Sequence, residues 1–173
     1  MERSFPAPAS SPQQTSLNSG PYQFVIFRLN NRRFGLRLSV VERVIRAVEI
    51  TPLPNAPEVI HGLVNMQGEI IYVVNTRKAL GLPDREIDLS DQFIIARASG
   101  RFVALITDEV SGVKEFRGNE IKVTEDLSSH SWCIYGFAKT EDDVIVILDL
   151  DCMLSRDLIA VVDGRVGGSN ARL

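Results

Sequence analysis

The chain has 173 residues, 45% of them apolar and 24% charged, with a formal net charge of −3. That composition suits a globular protein, and the slight acidic excess leaves no basic field to hold a phosphate backbone, which argues against nucleic acid as the principal partner. The longest apolar runs are about five residues, against the roughly 20 that a membrane-spanning helix needs, and the N-terminus lacks the basic-then-apolar order of a secretory signal. Cys133 and Cys152 show neither close spacing nor a framework, which suits a reducing cytosol. A cytoplasmic, β-rich protein without direct membrane insertion is the expectation.

Met1–Pro21 holds four of the eight prolines and five serines. It cannot bury enough apolar area to offset its ordering entropy, so it reads as a disordered tail. Tyr22–Leu29 and Phe34–Leu38 read as a hairpin turned at Asn30-Asn31-Arg32-Arg33, since an Asn pair tolerates the positive φ that hairpin turns demand. Phe24 and Ile26 alternate with Val25, Phe27 and Leu29, so both faces of the first strand are apolar, as in a strand packed within a barrel. Val40–Val48 fits a short helical turn or an irregular strand, and its period does not decide.

Pro52, Pro54 and Pro57 keep the next stretch extended. It predicts a helical turn over Glu58–His61, a strand over Gly62–Met66, a reversal at Gln67-Gly68-Glu69 and a buried strand over Ile70–Asn75. A helical turn at Thr76–Leu80 is stopped by Gly81-Leu82-Pro83, and Asp84–Asp91 is a polar linker. Phe93–Ala98 and Phe102–Thr107 form another hairpin around Ser99-Gly100-Arg101, continued by Asp108–Phe116. Arg117–Ser131 is loop-like, with a single turn at Gly118–Val123. Gly136–Leu148 is a hairpin turned at Glu141-Asp142-Asp143. Asp149 to about Asp163 has apolar residues at helical spacing, and Gly164–Leu173 reads as frayed.

The chain repeats itself. Gly62–Leu80 lies over Gly136–Leu154 without a gap: Gly62 meets Gly136, Ile70–Val74 meets Val144–Leu148, and Asn75 meets Asp149. Phe24–Val44 similarly resembles Phe93–Val113 once one turn residue is dropped. Such duplication is a fold-level signal. It predicts a mainly β fold of two related lobes, each built from two hairpins, with short helices and a C-terminal helix.

Catalytic constellations are missing. His61 and His130, the only histidines, neighbour no Ser, Cys or Asp in a nucleophile-and-base pattern. His130 and Cys133 give half of a zinc spacing with no second pair. Asp142, Asp143, Asp149 and Asp151 suit a solvated turn and a helix start as well as a cation. No phosphate-binding glycine motif occurs. A binding module, not an enzyme, is expected.

The order of hairpin, PLPNAP, Gly62-x-x-Asn65-x-x-Gly68, IIYVVN, Gly81-Leu82-Pro83, second hairpin, DEVSGV and GFAKTEDDVIVILDLDCML resembles the CheW-like domain. The resemblance spans residues 22–156, between the tail at 1–21 and a helix end and frayed tail at 157–173. It implies two five-stranded, SH3-like barrel lobes, roughly 22–90 and 91–156, with strand exchange between them left open. It also implies a stand-alone adaptor in bacterial chemosensory signalling. Its partners would be the regulatory domain of a CheA-type histidine kinase and the cytoplasmic tip of a chemoreceptor, with no cofactor, metal or catalysis.

This chain departs from the family pattern in ways that bear on partners. The family commonly has Val-x-Glu-Ile where Val41-Glu42-Arg43-Val44 stands, which puts Arg43 at the acidic position. It commonly has Asn-Leu-Arg-Gly where Asn65-Met66-Gln67-Gly68 stands, and Asn75-Thr76 replaces a usual Asp-Leu. Arg to Gln removes the fork that binds carboxylates bidentately, and a reversed charge against a partner changes partner choice. Neutral drift on a solvated rim, where exposed pairs contribute ~0–1 kcal/mol, accounts for the departures equally well. By resemblance, the groove between lobes is the receptor contact, with Val41, Arg43, Gly62, Asn65, Gln67 and Gly68 on one side and Asp108 and Val110 opposite. Val41 and Val110 serve equally well as core residues, and Gly62 and Gly68 as structural ones. Two other readings stand beside the adaptor: a CheW-like regulator that binds receptor or kinase without activating it, and a small-molecule-binding barrel.

Overall fold

The computed structural model describes residues 21–124 and 133–154. The expectations for the N-terminal tail, for His130, for the helix beyond Leu154 and for Gly164–Leu173 lie outside the described residues. The first hairpin is β1 (Tyr22–Leu29) and β2 (Arg32–Arg37), and a 3₁₀ turn at Leu38–Val40 leads into β3 (Val41–Arg46). The second is β4 (Ile60–Met66) and β5 (Glu69–Val74), followed by α1 (Thr76–Ala79). Then come β6 (Gln92–Ala98), β7 (Arg101–Thr107), β8 (Glu109–Phe116), a 3₁₀ turn at Gly118–Glu120 and β9 (Ile121–Val123). The described chain ends with β10 (Ile134–Lys139), β11 (Val144–Leu148) and α2 (Leu150–Leu154).

Three hairpins turn on two residues each. Asn30 and Asn31 have φ of 50° and 62°, Gln67 and Gly68 55° and 88°, and Ser99 and Gly100 49° and 80°. Two successive positive φ values define the turn whose twist matches that of the flanking strands.

One sheet has the order β8-β1-β2-β11-β10-β9 and the other β3-β6-β7-β5-β4. Neither follows the sequential halves of the chain. The first hairpin of each repeat joins the second hairpin of the other, through parallel pairs such as Phe34 with Val146 and Tyr72 with Val103. The links β2 to β3 and β7 to β8 are too short to return, so each third strand crosses to the other sheet, β3 onto β6 and β8 onto β1. The duplicated units thus exchange hairpins reciprocally.

This exchange explains why β1 and β6 are apolar on both faces. Phe24 and Ile26 pack into a core inside their own sheet with Phe116, Ile121, Ala138, Ile145 and Ile147. Phe93 and Ile95 do the same in the other sheet with Val64, Ile71, Val73, Ala104 and Ile106. The alternate residues, Val25, Phe27 and Leu29 from β1 and Ile94, Ala96 and Ala98 from β6, meet in a third core at the junction of the sheets. Each large side chain so buried contributes about 1.5–3 kcal/mol, and the junction core makes the two sheets one folding unit.

Several local expectations are corrected. Glu58–His61 is not helical: Ile60 N donates to Pro57 O at 2.9 Å in a single turn, and Ile60 then pairs with Val74. Val40–Val48 resolves into the end of a 3₁₀ turn and the strand β3. The loop after Arg117 contains β9, which pairs with β10 and gives its sheet a sixth strand. Cys133 and Cys152 are joined in a disulfide with their Cα atoms 5.3 Å apart. Their separation of 19 residues closes only once the β10–β11 hairpin has formed, so spacing alone gives no sign of it.

Candidate functional site

β3 and β8 are the edge strands that cross between the sheets, and each carries a residue that packs on the junction core. In a sheet, directly paired residues share a face. Val41 pairs with Ala96 and Val44 with Ile94, both junction residues, so Val41 and Val44 lie on the junction face of their sheet. On the other sheet, Val110 pairs with Phe27, packs on the same core and donates its N–H to Gln92 Oε1 at 2.6 Å. Val41 and Val110 are half-buried and Val44 is 37% exposed. Val44 is absent from the sequence-based site, although strand alternation places it beside Val41 once the bulge at Glu42 is allowed for.

Arg43 faces the other way. It pairs with Ile95, a residue of the sheet's own core, and is exposed without an ion pair among the described residues. The structure therefore packs Val41 and Val110 against one junction core and sets Arg43 on the opposite face of β3. Gln67 and Gly68 form the β4–β5 turn, both exposed, with Asn65 Oδ1 accepting from Gly68 N at 2.9 Å. Asn65 holds that turn's shape, and the Gln67 side chain is left to solvent.

Gly62 is buried and serves packing. A Cβ there would stand 2.3 Å from Thr51 O, where the chain after β3 bridges to Leu63. Its repeat mate Gly136 meets the same limit, 2.5 Å from Lys122 O. Both sit beside a register shift in their hairpins. The glycine is duplicated because each half needs one strand to pass close over another.

Asp108 is held in a network where β7 passes into β8. It pairs with Arg77, which is 3% exposed, and with Arg85 at 2.8 Å, and it accepts from Asn30 N at 3.0 Å. Arg77 Nε also donates to Asn30 Oδ1 at 3.1 Å. Arg85 forks onto the buried Asp91 at 2.7 and 2.9 Å, which raises its pKa above the usual arginine value. One carboxylate thus ties the β1–β2 turn, α1 and the linker together where the chain leaves β7 for β8. Arg77 and Arg85 give no such signal in sequence, since an arginine after an apolar strand reads as surface.

Asn75 caps α1, accepting from Lys78 N at 3.1 Å, and its amide donates to Asp84 at 3.0 Å. That donation is the main reason the Asp84 pKa lies below its ordinary value, ahead of the opposing effect of burial and the smaller pulls of Arg85 N and Lys78. Its repeat mate Asp149 caps α2 through Cys152 N at 3.1 Å. Asn75, one of the departures, is therefore the cap that can also face an aspartate.

The clefts near this region are open and lined by charged residues, one by Arg28, Asp108 and Glu109 around Gln92 and Val110, another by Arg85, Glu86 and Asp88. Neither has the enclosed apolar walls of a small-molecule site. Asp143 accepts from Val144 N, and Asp151 from Ser99 N, at 2.8 and 2.9 Å. With Asp149 they act as caps and turn braces.

A family model described as the CheW-like domain matches residues 23–158. The chemotaxis protein CheW of Thermotoga maritima is 28% identical over 143 residues, covering 83% of this chain and 93% of the relative. That of Rhizobium meliloti is 26% identical over 137 residues, covering 78% and 88%. The crystal structure of the scaffolding protein TtCheW from Thermoanaerobacter tengcongensis superposes with a TM-score of 0.73 at 30% identity, covering 80% of this chain and 96% of that one. Neither the non-activating regulator nor the small-molecule barrel draws support from these relatives. With both exchanged hairpins and the junction core inside the matched region, the chain belongs to the CheW-like domain family.

Proposed function

We propose that the chain docks on the regulatory domain of a CheA-type histidine kinase and on the cytoplasmic tip of a chemoreceptor, and works in the cytoplasm. In keeping with its family it is a chemotaxis adaptor that couples receptors to the kinase and is not an enzyme. The observation that carries the reading is the family match across both sheets, because an adaptor needs two surfaces held in fixed relation. The apolar residues Val41, Val44 and Val110 of β3 and β8 are the contact. Asp108, directly before β8, fixes the start of that strand through Arg77 and Arg85, and Gly62, Asn65 and Gly68 set the shape of the β4–β5 hairpin.

Arg43 and Gln67 are the specificity residues of this reading. Both are exposed, and neither is committed to an ion pair among the described residues. A charge placed against a like charge on a partner costs several kcal/mol in an interface, whereas an exposed intramolecular pair contributes only ~0–1 kcal/mol. Arg43→Glu and Gln67→Arg, titrated separately against receptors from the same and from a foreign organism, should shift preference toward the foreign receptor by about tenfold, or 1.4 kcal/mol. Unchanged affinities for both receptors would remove Arg43 and Gln67 from receptor choice.

A further inference from the structure

We propose that the Cys133–Cys152 disulfide is a reversible redox-modification site, a thiol–disulfide switch that sets how firmly α2 is held at the junction of the two sheets. The proposal is independent of the adaptor reading.

α2 follows β11 directly and belongs by connectivity to that strand's sheet, but its contacts reach the other. Leu150 and Leu154 are buried in the junction core. Asp151 Oδ1 accepts from Ser99 N at 2.9 Å and from Ser99 Oγ at 3.3 Å, at the β6–β7 turn of the opposite sheet. The disulfide is the covalent member of these ties, joining α2 to the residue before β10. Asp149 N donates to Cys133 O at 2.8 Å in parallel with it.

The chemistry of the pair suits a switch. Cys152 is exposed and Cys133 half-buried, so an attacking thiolate reaches the Cys152 sulfur and Cys133 is the leaving group. Cys133 has φ of 35°, a left-handed conformation that a non-glycine residue keeps only where its surroundings enforce it. Reduction by a dithiol is balanced. One reductant thiolate forms a mixed disulfide with Cys152 and its second thiolate closes the reductant's own disulfide. Two electrons and two protons pass to the pair, leaving two thiols and a turn free to relax.

Cys133 and Cys152 are the only cysteines, so the state can be counted. The full chain would be equilibrated in oxidised glutathione or in dithiothreitol, alkylated, weighed intact, and followed by amide hydrogen exchange at Ser99 and Asp151–Leu154. The expected result is a monomer with no alkylated thiol in the first buffer and two in the second. Exchange at those amides should be at least about tenfold faster when reduced, as local opening becomes easier, and should return on reoxidation. Cys152→Ser, at an exposed position, should show the reduced rates in either buffer. Two free thiols in oxidised glutathione, a disulfide between two copies, equal exchange in both states, or oxidised-like exchange in Cys152→Ser would each overturn the proposal.

Discussion

Gly62 and Gly136 show what a single residue decides in this fold. Each lies where a neighbouring backbone carbonyl leaves no room for a methyl group. Gly62→Ala and Gly136→Ala should each destabilise the protein by about 1–3 kcal/mol, the usual cost of overpacking, seen as a lower urea midpoint with an unchanged slope. Their pairing across the repeat was legible in the sequence, while the strand passing over them was not, because it comes from a separate segment. Asn75 is similar. The departure from the family's Asp was legible, but its reason, the carboxylate of Asp84 at 3.0 Å, depends on how the linker folds back. Because the Asp84 pKa is lowered in the fold, its contribution is present above the ordinary aspartate value of about 3.9 and is lost as pH falls through the folded value. Asn75→Asp reverses the sign by setting two carboxylates together. The Asp84 pKa should then rise, and the stability deficit should be largest near neutrality and shrink on acidification. Carboxyl-carbon NMR titration alongside denaturant unfolding reads both, and an Asp84 pKa unmoved by the substitution would remove Asn75 as its cause.

At the scale of elements, hairpins were the most legible feature and helices the least. Asn30-Asn31 and Ser99-Gly100 announce turns through residues that accept positive φ, and Gln67 does so only because Gly68 follows it. The Glu58–His61 segment misled because charged and apolar residues after a proline resemble a helix start, whereas β4 begins as soon as Ile60 finds Val74. β9, three residues long, carries too little pattern to read alone. The Asp108 network is the element-level device that sequence hid, since its members come from four separate segments. Asp108→Ala leaves the buried Arg77 guanidinium without its carboxylate and should cost about 3 kcal/mol or more. If Asp108 is a positioning residue, partner affinity measured well below the unfolding transition should fall with it, together with the amide shifts of Val110 and Asn30. A loss of affinity with those shifts unmoved would make Asp108 a direct contact instead.

For the whole molecule, the internal duplication pointed to two related β lobes, and the two-faced apolar first strand pointed to packing within a barrel. The reciprocal hairpin exchange that joins them could not be derived, because β-strand propensity does not say which edge a strand will find. The same limit applied to the site: Val41 and Val110 both pack on the junction core, but Arg43 from the same strand as Val41 faces away. The junction core binds the two sheets into one body, so surfaces on the two sheets keep a fixed relation, which is what an adaptor requires. The most direct measurement is calorimetric titration of the full chain into the regulatory domain of the CheA-type kinase from the same organism, with Gln67→Arg run beside it. Micromolar binding by the native chain, with an affinity shifted in the variant, is the predicted result. A folded native chain that gives no binding heat at any temperature tried and no shift in sedimentation would contradict the kinase contact.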